Sequence, residues 1–128
     1  MSYYISTKVN LSFKEAIEKV TEELKKEGFG ILTEIDVKAT MKKKLDVDFY
    51  NYKILGACNP PFALKALLAE DKIGTMLPCN VIVQERTPGE VEVSAVDPAA
   101  SMQAVKNVLL GGLSGEVQSK LKKVIAAL

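Results

Sequence analysis

The two cysteines are the residues of this chain best suited to chemistry, and an asparagine follows each of them directly. The segments read Ala57-Cys58-Asn59-Pro60-Pro61 and Leu77-Pro78-Cys79-Asn80-Val81. A thiolate is a nucleophile and a metal ligand, and an asparagine amide both donates and accepts hydrogen bonds. The four residues predicted to bind a ligand are therefore Cys58, Asn59, Cys79 and Asn80.

Cys58 is the candidate nucleophile, because it ends a predicted strand just before a predicted helix. Asn59 is expected to cap that helix and Pro60 to occupy its first turn. The positive end of the helix dipole would favour a Cys58 thiolate, whereas the alternative is a small buried thiol that fills space. Pro60 and Pro61 also remove two amide donors, so this helix start is poorly suited to phosphate.

A metal site is not expected from the two thiols. The chain has no histidine, so Cys58 and Cys79 cannot complete a tetrahedral set of soft ligands unless a dimer supplies four thiolates or carboxylates add oxygen ligands. Whether the thiols meet depends on topology. Antiparallel neighbouring strands would bring them together, and parallel strands would place them at opposite edges of the sheet.

Composition favours a single domain over residues 1–128 in the cytosol. Lysine and arginine number 17 and aspartate and glutamate 16, so the net charge of +1 argues against nucleic-acid binding. No apolar stretch approaches the roughly 20 residues of a membrane span, and the first residues lack the pattern of a signal peptide. A cytosolic location implies reduced thiols. Composition indicates no particular cofactor.

Apolar periodicity predicts an α+β fold with elements in the order β-α-β-α-β-α-β-β-α. Five alternating strands and helices in this order indicate a two-layer sandwich, with a mixed sheet covered by helices mainly on one face. In the second strand, Ile31, Thr33 and Ile35 are expected to share one face. Thr87-Pro88-Gly89-Glu90 is expected to turn the last two strands into a hairpin.

Helix ends are marked by capping residues. Ser12 and Glu15 form a predicted capping box, and Gly28 is the expected left-handed residue that ends the same helix. Asp97 followed by Pro98 predicts the start of a later helix. Three glycines, Gly111, Gly112 and Gly115, are expected to interrupt or kink the C-terminal helical region.

The chain resembles the domain of unknown function 302 family from about Tyr3 to the C-terminus. The similarity is carried by the two cysteine segments, by Gly28-Phe29-Gly30-Ile31-Leu32-Thr33-Glu34-Ile35 and by Ile54-Leu55-Gly56. The resemblance implies a small bacterial or archaeal domain, often dimeric, with no assigned reaction.

The sequence alone therefore leaves the function unknown, and whether the chain is an enzyme stays open. The favoured hypothesis is a cytosolic homodimeric domain that binds a small molecule or a metal near Cys58 and Cys79. The first alternative is a thiol-dependent enzyme or redox protein that uses Cys58 as its reactive thiol, with Cys79 as the resolving thiol only if the two meet. The second alternative is a structural interaction module.

Overall fold

The fold is α+β, as predicted, and is built on one five-stranded sheet. A computed structural model of the chain describes residues 2–128. The strands are β1 (Tyr4–Val9), β2 (Gly30–Asp36), β3 (Asn51–Cys58), β4 (Cys79–Thr87) and β5 (Glu90–Val96). Their order across the sheet is β1-β5-β4-β3-β2, so the first two strands of the chain form its two edges.

All four strand pairings are antiparallel, which corrects the expectation of a mixed sheet. The predicted hairpin joins β4 to β5, with Thr87 paired to Glu90. β2 and β3 are also antiparallel neighbours, as are β3 and β4. In each of these two pairs the chain reverses direction through a helical segment between the strands. Strand alternation is equally compatible with a mixed sheet, so periodicity could not distinguish the two arrangements.

Five α-helices and a 3-10 helix accompany the sheet. The helices are α1 (Phe13–Lys26), α2 (Val37–Leu45), α3 (Pro60–Ala69), α4 (Pro98–Ser101) and α5 (Val108–Ala126), and the 3-10 helix spans Asp71–Met76. Side chains from α1 and the second half of α5 pack against one face of the sheet and form the main core. Its most deeply buried large members include Val20, Leu24, Leu55, Val83 and Leu121.

The C-terminus of α1 is closed by a Schellman motif, which confirms the predicted role of Gly28. Gly28 has φ of +87°, and its N–H donates to the Lys25 carbonyl while the Phe29 N–H donates to the Leu24 carbonyl. Leu24 and Phe29 are both buried in the main core. The turn therefore fixes Phe29 in the core at the start of β2.

A bulge in β2 corrects the predicted facing of that strand. Ile31 is the register partner of Ala57, but Thr33 pairs with Gly56, because the register shifts between Ile31 and Thr33. An extra residue in one strand reverses the face of everything that follows it. Ile31 and Ile35 consequently lie on opposite faces.

A second, smaller hydrophobic cluster lies apart from the main core. Its buried members are Ala66, Ile73 and Leu110, which come from α3, the 3-10 helix and α5. We call α3, the 3-10 helix, α4 and residues 108–114 of α5 together the cap. Asn107 holds the cap together, because its side chain donates to the Ala69 carbonyl at 2.8 Å and accepts from the Leu109 N–H at 3.0 Å.

The predicted interruption of the C-terminal helical region at its glycines is wrong. Gly111, Gly112 and Gly115 all lie within α5, which runs without interruption, and the break between helices falls instead between Ser101 and Val108. Nothing lies within 4 Å of where a side-chain Cβ would stand at any of the three glycines. Their helical conformation is retained because the flanking turns of α5 are packed in both hydrophobic clusters.

The start of α4 is as predicted, and Asp97 links it to α5. The Asp97 carboxylate accepts from the Ala99 N–H at 3.0 Å and from Gln118 Nε2 at 3.0 Å. Pro98 is fully buried beside it. Across residues 2–128, no helix has the combined length and apolar character that a bilayer span requires.

Candidate functional site

Cys58 and Cys79 lie at the same end of two neighbouring antiparallel strands. The last register pair of β3 and β4 joins Ala57 to Cys79, and Cys58 follows one residue later. The topology therefore brings the two thiols into one region, which is the arrangement that the sequence left conditional. Successive residues of a strand point to opposite faces, so Ala57, not Cys58, is the direct cross-strand neighbour of Cys79. Both cysteines are free thiols.

The surroundings of Cys79 hold it in the neutral thiol form. Burial, with a smaller effect from the nearby Cys58, raises the pKa of Cys79 from an ordinary value of 9.0 to about 11. A thiolate is the reactive species, so Cys79 is a poor nucleophile at neutral pH. Cys58 is half-buried, ends β3 and stands directly before α3.

Asn59 occupies the predicted N-cap position of α3, but its side chain makes no capping hydrogen bond there. It is buried, and its Nδ2 donates instead to the Glu27 carbonyl at 3.2 Å. Asn59 thus satisfies the C-terminus of α1, and the absence of a side chain at Gly28 leaves room for it. A Cβ at Gly28 would lie 3.0 Å from Asn59 Nδ2. The amide next to Cys58 consequently has a structural partner.

The two prolines after Asn59 occupy the first two positions of α3. Neither has an N–H, so the helix start beside Cys58 lacks two of the donors that a helix N-terminus usually presents. The structure therefore supports the sequence expectation that this helix end is poorly suited to phosphate.

A cleft of about 340 Å³ opens beside the thiols, between the main core and the cap. Its lining includes Ala57 and Phe29 from the main core, and Ala66 and Leu110 from the cap. The other lining residues are Leu32, Cys58, Asn59, Phe62, Ala63, Leu67, Gly74, Leu77, Pro78, Cys79, Pro98, Met102, Leu113, Ser114 and Val117. No charged side chain is among them, so the cleft is an apolar surface with a few weakly polar groups.

Two of the polar lining groups make hydrogen bonds within the protein. Ser114 Oγ donates to the Gly111 carbonyl at 3.1 Å, and Asn59 Nδ2 donates to Glu27. The Cys58 and Cys79 thiols are weak donors. The cleft therefore offers shape and apolar contact more than hydrogen bonding.

Asn80, the fourth residue of the predicted binding set, does not lie in the cleft. It is the register partner of Gly56, and it lines a separate concavity of about 460 Å³ on the opposite face of the sheet together with Tyr52, Gln84 and Arg86. The alternation of β4 separates it from Cys79, because adjacent residues of a strand face opposite ways. The predicted site is thus divided: Cys58, Asn59 and Cys79 belong to the cleft, and Asn80 belongs to the other face.

Metal binding gains no support from the arrangement of side chains. Among residues 2–128, no group of three or more histidine, cysteine, aspartate or glutamate side chains is placed to hold a metal ion. Cys58 and Cys79 would need ligands from outside the chain to complete a site.

Sequence reasoning missed the cap as a wall of the site. Leu110 and Leu113 line the cleft from the cap part of α5, and Val117 lines it from the main-core part of the same helix. A spacing of three and four residues is equally typical of a helix face that packs in a core. Phe62 and Met102 contribute from α3 and the end of α4. A packing stripe and a cleft wall have the same periodicity, so only the relative placement of the two hydrophobic clusters distinguishes them.

Comparison with known proteins places the chain in a family. A family model described as "Domain of unknown function DUF302" matches residues 5–128, and the chain belongs to that family. The chain is similar in structure to the uncharacterized conserved protein DUF302 from Bacillus stearothermophilus, solved by crystallography, with 25% sequence identity and a TM-score of 0.91. The match covers 98% of each chain. A comparison with curated proteins found no match.

Proposed function

We propose that this protein is a ligand-binding domain whose cleft, beside Cys58 and Cys79, holds a small molecule. The observation that carries the proposal is the cleft itself: about 340 Å³ of apolar surface between two separate hydrophobic clusters. Small-molecule sites are typically concave, mostly apolar and about 300–1,000 Å³ in volume. The cleft is at the lower end of that range, which suits a small ligand.

The absence of charged lining residues supports binding over catalysis. General acid–base chemistry needs a group that takes or gives a proton within hydrogen-bond reach of the substrate. The chain has no histidine, and the cleft lining includes no carboxylate and no lysine. A thiol-dependent enzyme stays the alternative, because Cys58 lines the cleft and is not fully buried. Its activation would have to come from outside the lining.

The binding proposal is tested with an apolar fluorescent probe, N-phenyl-1-naphthylamine, whose emission rises in apolar surroundings. Ala63 lines the cleft from α3, so Ala63→Phe is expected to fill part of the cleft and weaken probe binding at least about tenfold. The matched control is Leu64→Phe, since the adjacent Leu64 is 60% exposed and does not line the cleft. Equal probe affinity in both variants would contradict the proposal.

We further propose that the protein acts as a homodimer in the cytosol. Large apolar side chains remain strongly exposed in the single chain, among them Leu68 at 79% and Val108 at 93%. Exposed apolar surface of this kind often marks an interface. The two free thiols are consistent with a reducing compartment. Light scattering at micromolar concentration is expected to give the mass of a dimer, and a monomer would contradict this part of the proposal.

A further inference from the structure

We infer that the ligand of the cleft is an uncharged, largely apolar small molecule, and that the cleft rejects anionic relatives of the same shape. This inference rests on the proposed function and specifies its ligand class. It follows from three properties of the cleft: the charge of its lining, the state of its hydrogen-bond donors and the composition of the helix end beside it.

The lining contains no cationic side chain that could pair with an anionic ligand. Lys65, one turn from Phe62, places its Nζ 5.7 Å from the Phe62 ring centroid but is not part of the lining. The raised pKa of Cys79 is independent support, because its main cause is the same removal of water that an anionic ligand would meet. An ion transferred into such a site without a partner loses far more solvation than it recovers.

Two of the donors that a helix N-terminus usually offers to an anion are missing here. A helix N-terminus ordinarily attracts carboxylates and phosphates through its free amides. At the start of α3 the first two amides are replaced by Pro60 and Pro61. The Ser114 hydroxyl and one Asn59 N–H are donated to backbone carbonyls. A carboxylate, sulfonate or phosphate placed in the cleft would therefore exchange water for an apolar wall with few free donors.

The inference is tested with two probes that share one aromatic skeleton. N-phenyl-1-naphthylamine is uncharged, and 8-anilino-1-naphthalenesulfonate carries an added sulfonate. The uncharged probe is expected to bind wild type and Leu64→Phe alike and to bind Ala63→Phe at least about tenfold more weakly. The anionic probe is expected to bind wild type at least about tenfold more weakly than the uncharged probe, with no further change in Ala63→Phe.

Protection of Cys58 gives a second readout that needs no variant. Cys58 lines the cleft, so saturating N-phenyl-1-naphthylamine is expected to slow its alkylation in wild type at least about fivefold. The same concentration of the sulfonate probe is expected to leave the rate unchanged. This measurement keeps the inference testable if Ala63→Phe does not fold.

The outcomes separate the two proposals. If the sulfonate probe binds as tightly as the uncharged probe and Ala63→Phe abolishes both, the cleft binds ligands but the charge inference is wrong. If neither probe binds in the cleft or protects Cys58, the proposed function and the ligand class fail together. If raising the protein concentration alone abolishes binding of the uncharged probe, a second copy of the chain occupies the cleft. That result would overturn both the proposed function and the ligand class.

Discussion

The main core and the cap are both apolar, but they differ greatly in how much they bury. The main core has fifteen buried members, which come from α1, α5, three of the strands and Phe29 just before β2, whereas the cap cluster has three. Most members of the main core are at most 2% exposed, while the cap leaves Leu64, Leu67 and Leu68 of α3 at least 42% exposed. Regions with little burial open locally at lower free energy than the global fold. In the single chain we therefore expect the cap to open more easily than the sheet layer.

That difference gives each wall of the cleft a separate role. The sheet side supplies Ala57, Cys79 and Phe29, which are fixed by strand pairing and by the Schellman turn. The cap side supplies Leu110 and Met102, which belong to or pack against the small cluster. A rigid wall facing a more easily opened one allows a ligand to enter an apolar site without unfolding the domain.

The largest expected effect is a matched pair of core truncations. Leu121 and Ile73 are 0% and 1% exposed, and they lie in the main core and the cap respectively. Leu121→Ala is expected to lower the free energy of unfolding by about 3–4 kcal/mol, and Ile73→Ala by about 2 kcal/mol, since the smaller cluster collapses more readily. Chemical denaturation measures both values. An equal or larger loss for Ile73→Ala would remove the distinction between the two regions.

The second prediction concerns the thiol on the rigid wall. Because the pKa of Cys79 is raised to about 11 in the folded protein, its alkylation is expected to be about a hundredfold slower near pH 8 than that of an unperturbed thiol. Cys58→Ser isolates this phase, and Cys79→Ser isolates Cys58. A Cys79 phase with a midpoint near 9 in the folded protein would contradict the assigned burial.

The same shift has a consequence for stability. A thiol whose pKa is higher in the folded than in the unfolded state stabilises the fold fully below the unfolded value. That stabilisation is lost as the pH rises from about 9 towards 11, and Cys79→Ala should remove this dependence.

The alkylation series also tests the enzyme alternative. A Cys58 phase with a midpoint below about 8.5 would support it. Resistance of both thiols until unfolding would exclude it.

A smaller effect is expected at the turn that positions the rigid wall. Gly28→Ala must place a side chain at φ of +87° and within 3.0 Å of Asn59 Nδ2. The expected loss of stability is about 1 kcal/mol or slightly more. Gly30→Ala is the matched control, because nothing lies within 4 Å of its Cβ position. An unchanged melting midpoint for Gly28→Ala would contradict the role assigned to this turn.

Sequence reasoning succeeded where the signal is local. The capping box at Ser12, the C-terminal turn at Gly28 and the Asp97-Pro98 helix start each depend on a few adjacent residues, and all are confirmed. The facing of β2 and the target of the Asn59 side chain depend on residues far along the chain. A single bulge in β2 changes the face on which Thr33 and Ile35 lie. The Asn59 side chain donates to the Glu27 carbonyl instead of capping α3.

The candidate site was predictable only on its sheet side. Cys58 and Cys79 stand out because cysteine is rare here and both segments carry proline, and strand alternation could already have separated Cys79 from Asn80. The cap side could not be found in the same way. Leu110 and Leu113 have the spacing of ordinary packing residues, because periodicity identifies an apolar face without saying whether a helix, a cleft or a ligand covers it.

The smallest expected effect is a gain of stability in the cap. Gly112 lies in the second turn of α5, is exposed and has open space at its Cβ position. Alanine there should favour the helix by about 0.5–1 kcal/mol, chiefly by reducing the freedom of the unfolded or opened segment. Lys122→Ala, at an exposed position in the half of α5 that packs on the main core, is the control and should change stability little.

Hydrogen exchange is the decisive measurement for the cap. If the cap opens locally, Gly112→Ala should slow exchange at Leu113 and Ser114 without slowing it at Val124. Uniform slowing along α5 would mean that the helix opens only with the whole domain, and the cap would then not be a separate mobile wall.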